Sequence, residues 1–377
     1  MVGRVMETTK EKIFELFNRI RDPRVTGRSR YSIRDILFIA LCTYLSGWES
    51  FYEMEDFADL RFPWLNEVIG LKTVPSHDTF NRIFQLLNPV DFQELLIDLA
   101  NRIRTETGGD IIAFDGKSKR GTGSVDKRAI HALNVWSSKN RIALAQIGVD
   151  EKSNEITAIP EVLDMLTVEG CVITADALNC QTGIAAKAIE KMADYLLPVK
   201  GNHKCLEENL DNFFNKFCLE NEAGARTLEK SHGRMEERFC WQSEDLSWVE
   251  EPEKWAGLKS IGLVKSVRTE LSTGEKSIYC RYYISSLSLN SDYFLECSRK
   301  HWEIENCLHW TLDVIFKEDE NRARTKNSAK NLGVLRIIAL NLLKAFPGNQ
   351  SLKRKRMSAA LSPDVLLSLL SGIVKKI

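Results

Sequence analysis

"IIAFDGKSKRGTG", residues 111–123, governs how the rest of the chain is read. An apolar run ends on a carboxylate, Asp115, and Lys117, Lys119 and Arg120 follow at once among glycines. A strand closing in an Asp-Gly turn, with its cations solvated, would give the same letters. The alternative is a metal ligand at the lip of a buried strand, beside a track for phosphates. "VITAD" (172–176) repeats the pattern and ends on Asp176. If the two strands lie side by side, both carboxylates reach one carboxyl edge, where α/β sheets hold ligands. Two acids there repel each other unless they share a proton or a divalent cation.

Around these strands the pattern is that of a mixed α/β sheet. "IHALNVWSS" (130–138) and "RIALAQIGVD" (141–150) form a hairpin about Lys139-Asn140, and "AIPEVLDML" (158–166) reads as a helix starting near Pro160. "CQTGIAAKAIEKM" (180–192) is a helix and "ADYLLPVKGN" (193–202) a strand. Upstream, "SIRDILFIALCTYLSG" (32–47) opens on a Ser cap, and "SFYEMEDFADLRFPWL" (50–65) is a helix ending before Pro63. In "VPSHDTFNRIFQLL" (74–87) Ser76 caps a helix whose exposed side carries Thr79, Asn81 and Arg82. With "NPVDFQELLIDLANRI" (88–103) this is a helical module, either a plain bundle or a helix-turn-helix reader of DNA. Residues 205–290 begin as a helix and become strand-like, and from 291 the chain returns to helix. The expected units are a helical domain (1–106), an α/β core (107–204 and 291–346), a largely β insertion (205–290) and a basic C-terminal helix (347–377).

Composition narrows the classes. At 377 residues and zero formal net charge, any nucleic-acid surface must be a local patch. Nine scattered cysteines without a Cys-x-x-Cys pair read as reduced thiols rather than a disulfide or zinc framework. The first residues lack a signal-peptide core and the longest apolar run is too short to span a bilayer, so a cytoplasmic protein with no membrane partner is expected. In "HWEIENCLHWTLD" (301–313), Trp302, Glu305, His309 and Trp310 recur at helical spacing. His301 and His309 read as core or DNA-facing residues, because the His-Glu-x-x-His of a zinc helix is absent.

Over nearly its whole length the chain resembles the bacterial insertion-sequence transposases that include the H-repeat-associated proteins of Rhs elements. The motifs that carry the match are "DPR" (23–25), "PSHDTFNRIF" (75–84), "AFDGKSKRG" (113–121), "DEKSNEITAIPEVLDML" (150–166) and "ITADALNCQ" (173–181). "DYLLPVKGN" (194–202), "SHGRMEER" (231–238) and "HWEIENCLHWTLDVIFKEDENRAR" (301–324) continue it. The resemblance implies a ribonuclease-H-like core, interrupted by a β-rich insertion and preceded by a helical domain. It also implies a catalytic, metal-binding triad of Asp115, Asp176 and Glu305. The wider clan's Tyr-x2-Arg-x3-Glu-x6-Lys signature is not met, since Ser298, His301 and Leu312 stand at its other positions. Arg299 precedes Glu303 at the Arg-x3-Glu spacing, which makes Glu303 the rival third ligand.

Three carboxylates without a soft donor select Mg²⁺ or Mn²⁺, and two such ions suit an in-line displacement at phosphorus. The implied activity is cleavage and strand transfer at insertion-sequence ends. A relic that only binds DNA and a nuclease without strand transfer are the alternatives. The implied partners are terminal inverted repeats and target DNA, bridged by a homodimer. Candidate DNA contacts are Lys117, Lys119, Arg120, Lys200, Asn202, His203, Arg234, Arg322, Arg324, Lys326 and Arg82.

Overall fold

The computed structural model describes residues 11–24, 29–105, 107–123, 129–149, 155–231 and 233–371. Nine strands form one sheet in the order β3-β2-β1-β4-β5-β9-β8-β7-β6. They are β1 (Ile111–Lys119), β2 (Ile130–Ser137), β3 (Ile142–Val149), β4 (Val172–Ala175), β5 (Asp194–Val199), β6 (Ala225–Ser231), β7 (Arg234–Ser243), β8 (Ser260–Glu270) and β9 (Lys276–Ser285). Strands β1 to β3 meander antiparallel, whereas β4 pairs parallel with both β1 and β5. Phe114 faces Ala175 in register, so the residues that follow them, Asp115 and Asp176, leave one sheet edge side by side.

β1 is longer than expected. It runs four residues past Asp115, pairing Asp115 with Asn134 and Lys119 with Ile130. Side chains alternate along a strand, so Asp115, Lys117 and Lys119 share one face. The β-rich segment is also no separate body: β9 joins β5 antiparallel, extending the core sheet through its edge.

One sheet face is covered by the helices Glu155–Met165, Thr182–Glu190 and Lys204–Glu220. The other packs on a single apolar cluster that unites the helices before β1 with Ile304–Phe316, Leu332–Leu343 and Leu366–Leu370. The N-terminal helices therefore share their core with the C-terminal ones. Capping explains the first two: Ser32 and Ser50 each form a reciprocal capping box, with Asp35 and Glu53. Pro63 does more than end the second helix. It opens a third, Phe62–Ile69, where a first-turn proline sacrifices no helical hydrogen bond. Among the described residues no helix is long and apolar enough to cross a membrane.

Candidate active site

Asp115 sits on β1 with its side chain about four-fifths buried and accepts the Gly116 N–H at 2.9 Å. Burial, reinforced by the negative fields of Asp176, Glu305 and Glu155, pushes its carboxyl up to about 7. The register of β1 on β4 sets the two strand-end acids side by side, and the Glu305 segment lies near enough for its carboxylate to act on Asp115. Glu303 is absent from that set; it lies half-buried, and its charge instead bears on Lys344. Among the described residues no three His, Cys, Asp or Glu side chains form a ready-made cation cage. The acids thus share a field without closing into a ligand shell. A divalent cation would offset both the burial and the repulsion that push the Asp115 carboxyl up, so the donor set fits a hard metal ion.

The Glu305 segment departs from a plain helix. Ser291–His301 is α-helical, Ile304–His309 widens into a π-turn, and Trp310–Val314 resumes the α-helix. π-bulges often mark functional sites. Glu305 is exposed at the start of this segment, while His309, at its end, is largely buried with Nδ1 3.6 Å from Asp115 Oδ2. Burial, aided by Lys117, pulls His309 down to about 4.

Asp176 is held by a chain that sequence reasoning missed. Asn179 donates its side-chain amide to Asp176 Oδ1 at 2.7 Å and to Glu155 Oε2 at 2.8 Å. Glu155 is fully buried and bonds His131 Nε2, whose other ring nitrogen meets Ser118 Oγ at 3.0 Å. Glu155 reaches this place because the described helix, Glu155–Met165, already includes it and continues through Pro160, rather than starting near that proline. The carboxylate lies against Gly116, where a Cβ would collide with Glu155 Oε1 and His131 Nε2. That collision explains the glycine after Asp115. Gly116→Ala is expected to destabilise the fold by roughly 1–3 kcal/mol through overpacking. A urea midpoint unchanged from the parent would contradict this reading.

Lys117 and Lys119 do not face solvent. They are 9% and 3% exposed, which overturns their expected place beside a phosphate track. Lys117 Nζ lies 2.7 Å from Asp313 Oδ1 and 3.1 Å from Glu318 Oε2. Lys119 Nζ lies 3.4 Å from Glu318 Oε1 and 2.8 Å from Gln146 Oε1. The strand's continuation past Asp115 turns both ammonium groups inward, and Glu318 neutralises them. Arg120 is the one member of this trio that stays exposed, with its N–H bonded to Asp319.

The remaining candidates divide. Arg322, Arg324 and Lys326 are exposed, and Arg324 donates to the Gly121 carbonyl, which sets it beside Arg120. Arg322 and Arg324 line a cleft of about 660 Å³ together with His77 and Asn81. Arg82, the next residue after Asn81 on the helix His77–Leu86, is exposed. Lys200 lines a second cleft, of about 680 Å³, shared with Asp176, Arg281 and Trp302. Asn202 donates to the Ala177 carbonyl and His203 Nε2 to that of Cys180, so these two brace the loop after Asp176. Arg234 stands at a hairpin tip, 3.4 Å from Glu270, and its neighbour His232 lies outside the described residues. The basic run of the C-terminal segment is split: Lys353 and Arg354 are exposed, whereas Lys355 donates to the Leu343 carbonyl and Arg356 pairs with Glu49.

Comparison with known proteins identifies the family. Residues 106–342 match the Transposase DDE domain family, and residues 14–100 match the DDE_Tnp_1-associated family. The chain belongs to the DDE transposases, DNA-transposing enzymes that depend on divalent metal ions. It is 36% identical over 375 residues to the "H repeat-associated putative transposase YhhI" of Escherichia coli strain K12, covering 96% of this chain and 98% of that one. A protein of the dhlA 3′ region of Xanthobacter autotrophicus is 38% identical over 278 residues, covering 72% and 92% respectively. Among solved structures, the piggyBac transposase synaptic complex with hairpin DNA aligns at a TM-score of 0.46 and 14% identity, over 99% of this chain and 79% of that one.

Proposed function

We propose that Asp115, Asp176 and Glu305 hold two Mg²⁺ or Mn²⁺ ions at which this transposase cuts its element's terminal repeats and joins them to target DNA. The observation that carries this reading is the parallel register of β1 on β4, which brings Asp115 and Asp176 to one sheet edge. The raised Asp115 carboxyl, pushed up by burial and then by Asp176 and Glu305, agrees with it. Bound there, the ions would supply Lewis-acid stabilisation of the attacking and leaving oxygens at phosphorus. The chain's own part is to hold the acids. Adjacent strand ends fix two of them, the Glu155–Asn179 chain orients Asp176, and the π-turn presents Glu305. The order β3-β2-β1-β4-β5, antiparallel then parallel, supports a ribonuclease-H-like core.

DNA backbone would run from Lys200 past the acids to the rim of Arg120, Arg322, Arg324 and Lys326, with the Arg82 helix beyond. Two copies would bring two element ends together. In cleavage and joining assays on terminal-repeat DNA with Mg²⁺, Glu305→Gln is expected to lose both activities and Glu303→Gln to keep most of each. The reverse result would overturn the choice of third ligand. Pre-cut ends that are never joined would instead mark a nuclease.

A further inference from the structure

Three polar side chains, Gln146, Asn134 and His309, connect the buried Lys119 to Asp115, and their order has a direction. Lys119 Nζ donates to Gln146 Oε1 at 2.8 Å. Gln146 Nε2 donates to Asn134 Oδ1 at 2.9 Å. Asn134 Nδ2 meets His309 Nε2 at 3.2 Å and also donates to the Ala132 carbonyl at 3.2 Å. His309 Nδ1 then lies 3.6 Å from Asp115 Oδ2. An ammonium group can only donate, so Gln146 must turn its oxygen toward Lys119 and its nitrogen toward Asn134. Asn134 must then present its own nitrogen to the ring, which leaves His309 Nε2 as an acceptor.

We propose that this relay fixes His309 as the Nδ1–H tautomer, making it a positioning residue that aims a hydrogen-bond donor at the Asp115 carboxylate. The gap of 3.6 Å is slightly beyond hydrogen-bond length, and such pairs commonly tighten once substrate is in place. Two features have no other evident use. Asn134 and Gln146 are amides 0% and 3% exposed. Gly333 leaves room for the relay's first member, since a Cβ there would collide with Lys119 Nζ and Gln146 Oε1. Orienting a ligand through a histidine and an amide is the way outer-shell groups tune a metal site.

The consequence for catalysis rests on the proposed role of Asp115, but the tautomer does not. It is read by ¹⁵N NMR of the histidine rings in the full chain at about pH 7.5, without metal or DNA. Six histidines are present, and loss of one ring system in His309→Gln assigns the signal. The expected result is a protonated Nδ1 and an unprotonated Nε2. Gln146→Glu provides the decisive variant, because it never touches the ring. The introduced carboxylate would still accept from Lys119, but it cannot donate to Asn134. Asn134 then reverses its amide to donate to that carboxylate, giving up its bond to the Ala132 carbonyl, and His309 switches to the Nε2–H tautomer. That switch is expected to lower strand cleavage ~10–100-fold with the DNA KM unchanged. A parent ring protonated at Nε2, or a tautomer unmoved by Gln146→Glu, would overturn the proposal. Failure of the Asp115 reading would appear elsewhere, as full cleavage by Asp115→Asn, and would leave these ring signals in place.

Discussion

Asp115→Asn is expected to abolish metal-dependent cleavage while making the protein more stable above neutral pH. A lost ligand removes several kcal/mol of transition-state stabilisation, on the order of a thousandfold or more in rate. The stability effect has the opposite sign. Burial and the neighbouring acids raise the folded-state carboxyl to about 7, from an ordinary value of 3.8. Between those two values the folded state holds a proton that the unfolded chain has released, so stability falls as pH rises through this window. The full cost above pH 7 is on the order of 4 kcal/mol, chiefly the burial of a charge and then its repulsion by the neighbouring acids, and Asn carries neither. Thermal midpoints of parent and variant should therefore coincide near pH 4 and separate by several degrees at pH 8. Added Mg²⁺ should narrow the gap by stabilising only the parent. A variant less stable than the parent at pH 8 would mean that the acids do not repel one another in the folded state.

Glu318→Gln is expected to produce the largest loss of stability from a residue outside the acid cluster. Glu318 is 1% exposed and lies between Lys117, Lys119 and Arg336, whose Nη1 approaches to 3.2 Å. Burial alone would push its carboxyl up, but the charges of Lys119, Arg336 and Lys117 outweigh burial and hold it at about 2. Removing this anion leaves three buried cations facing one another. Breaking a buried pair in this way costs roughly 3–5 kcal/mol. Arg336 also binds Glu49, which binds Arg356, so the damage should spread to the N-terminal and C-terminal helices. Because the folded-state value is depressed, the parent keeps this stabilisation above about pH 4.5 and loses it as pH falls toward 2. Urea unfolding of parent and variant at pH 7 measures the difference, and a shift under about 1 kcal/mol would contradict the role given to Glu318.

The strand-end acids were legible because a carboxylate closing an apolar run is a local signal. Asp115 and Asp176 needed only the parallel pairing of β1 and β4 to meet. The character of Lys117 and Lys119 was not legible. A glycine followed by lysines reads as a solvated loop, and the anion that draws them inward, Glu318, lies 201 residues beyond Lys117 in sequence. Glu155 was hidden by Pro160, which reads locally as a helix start although the helix passes through it. His131, Asn134 and Gln146 left a trace that was not used: polar residues inside apolar strands must find partners when buried. The π-turn and the joining of β9 to β5 left none, since both arise from packing between distant segments.

The central claim is that Asp115, Asp176 and Glu305 close around hard cations. Anomalous scattering from crystals of the full chain with terminal-repeat DNA and Mn²⁺ tests it directly. Two peaks roughly 3.5–4 Å apart, bounded by these three carboxylates, are the expected result. Manganese bound elsewhere, or held by Glu303 while Glu305 stays outside the ligand shell, would contradict the account.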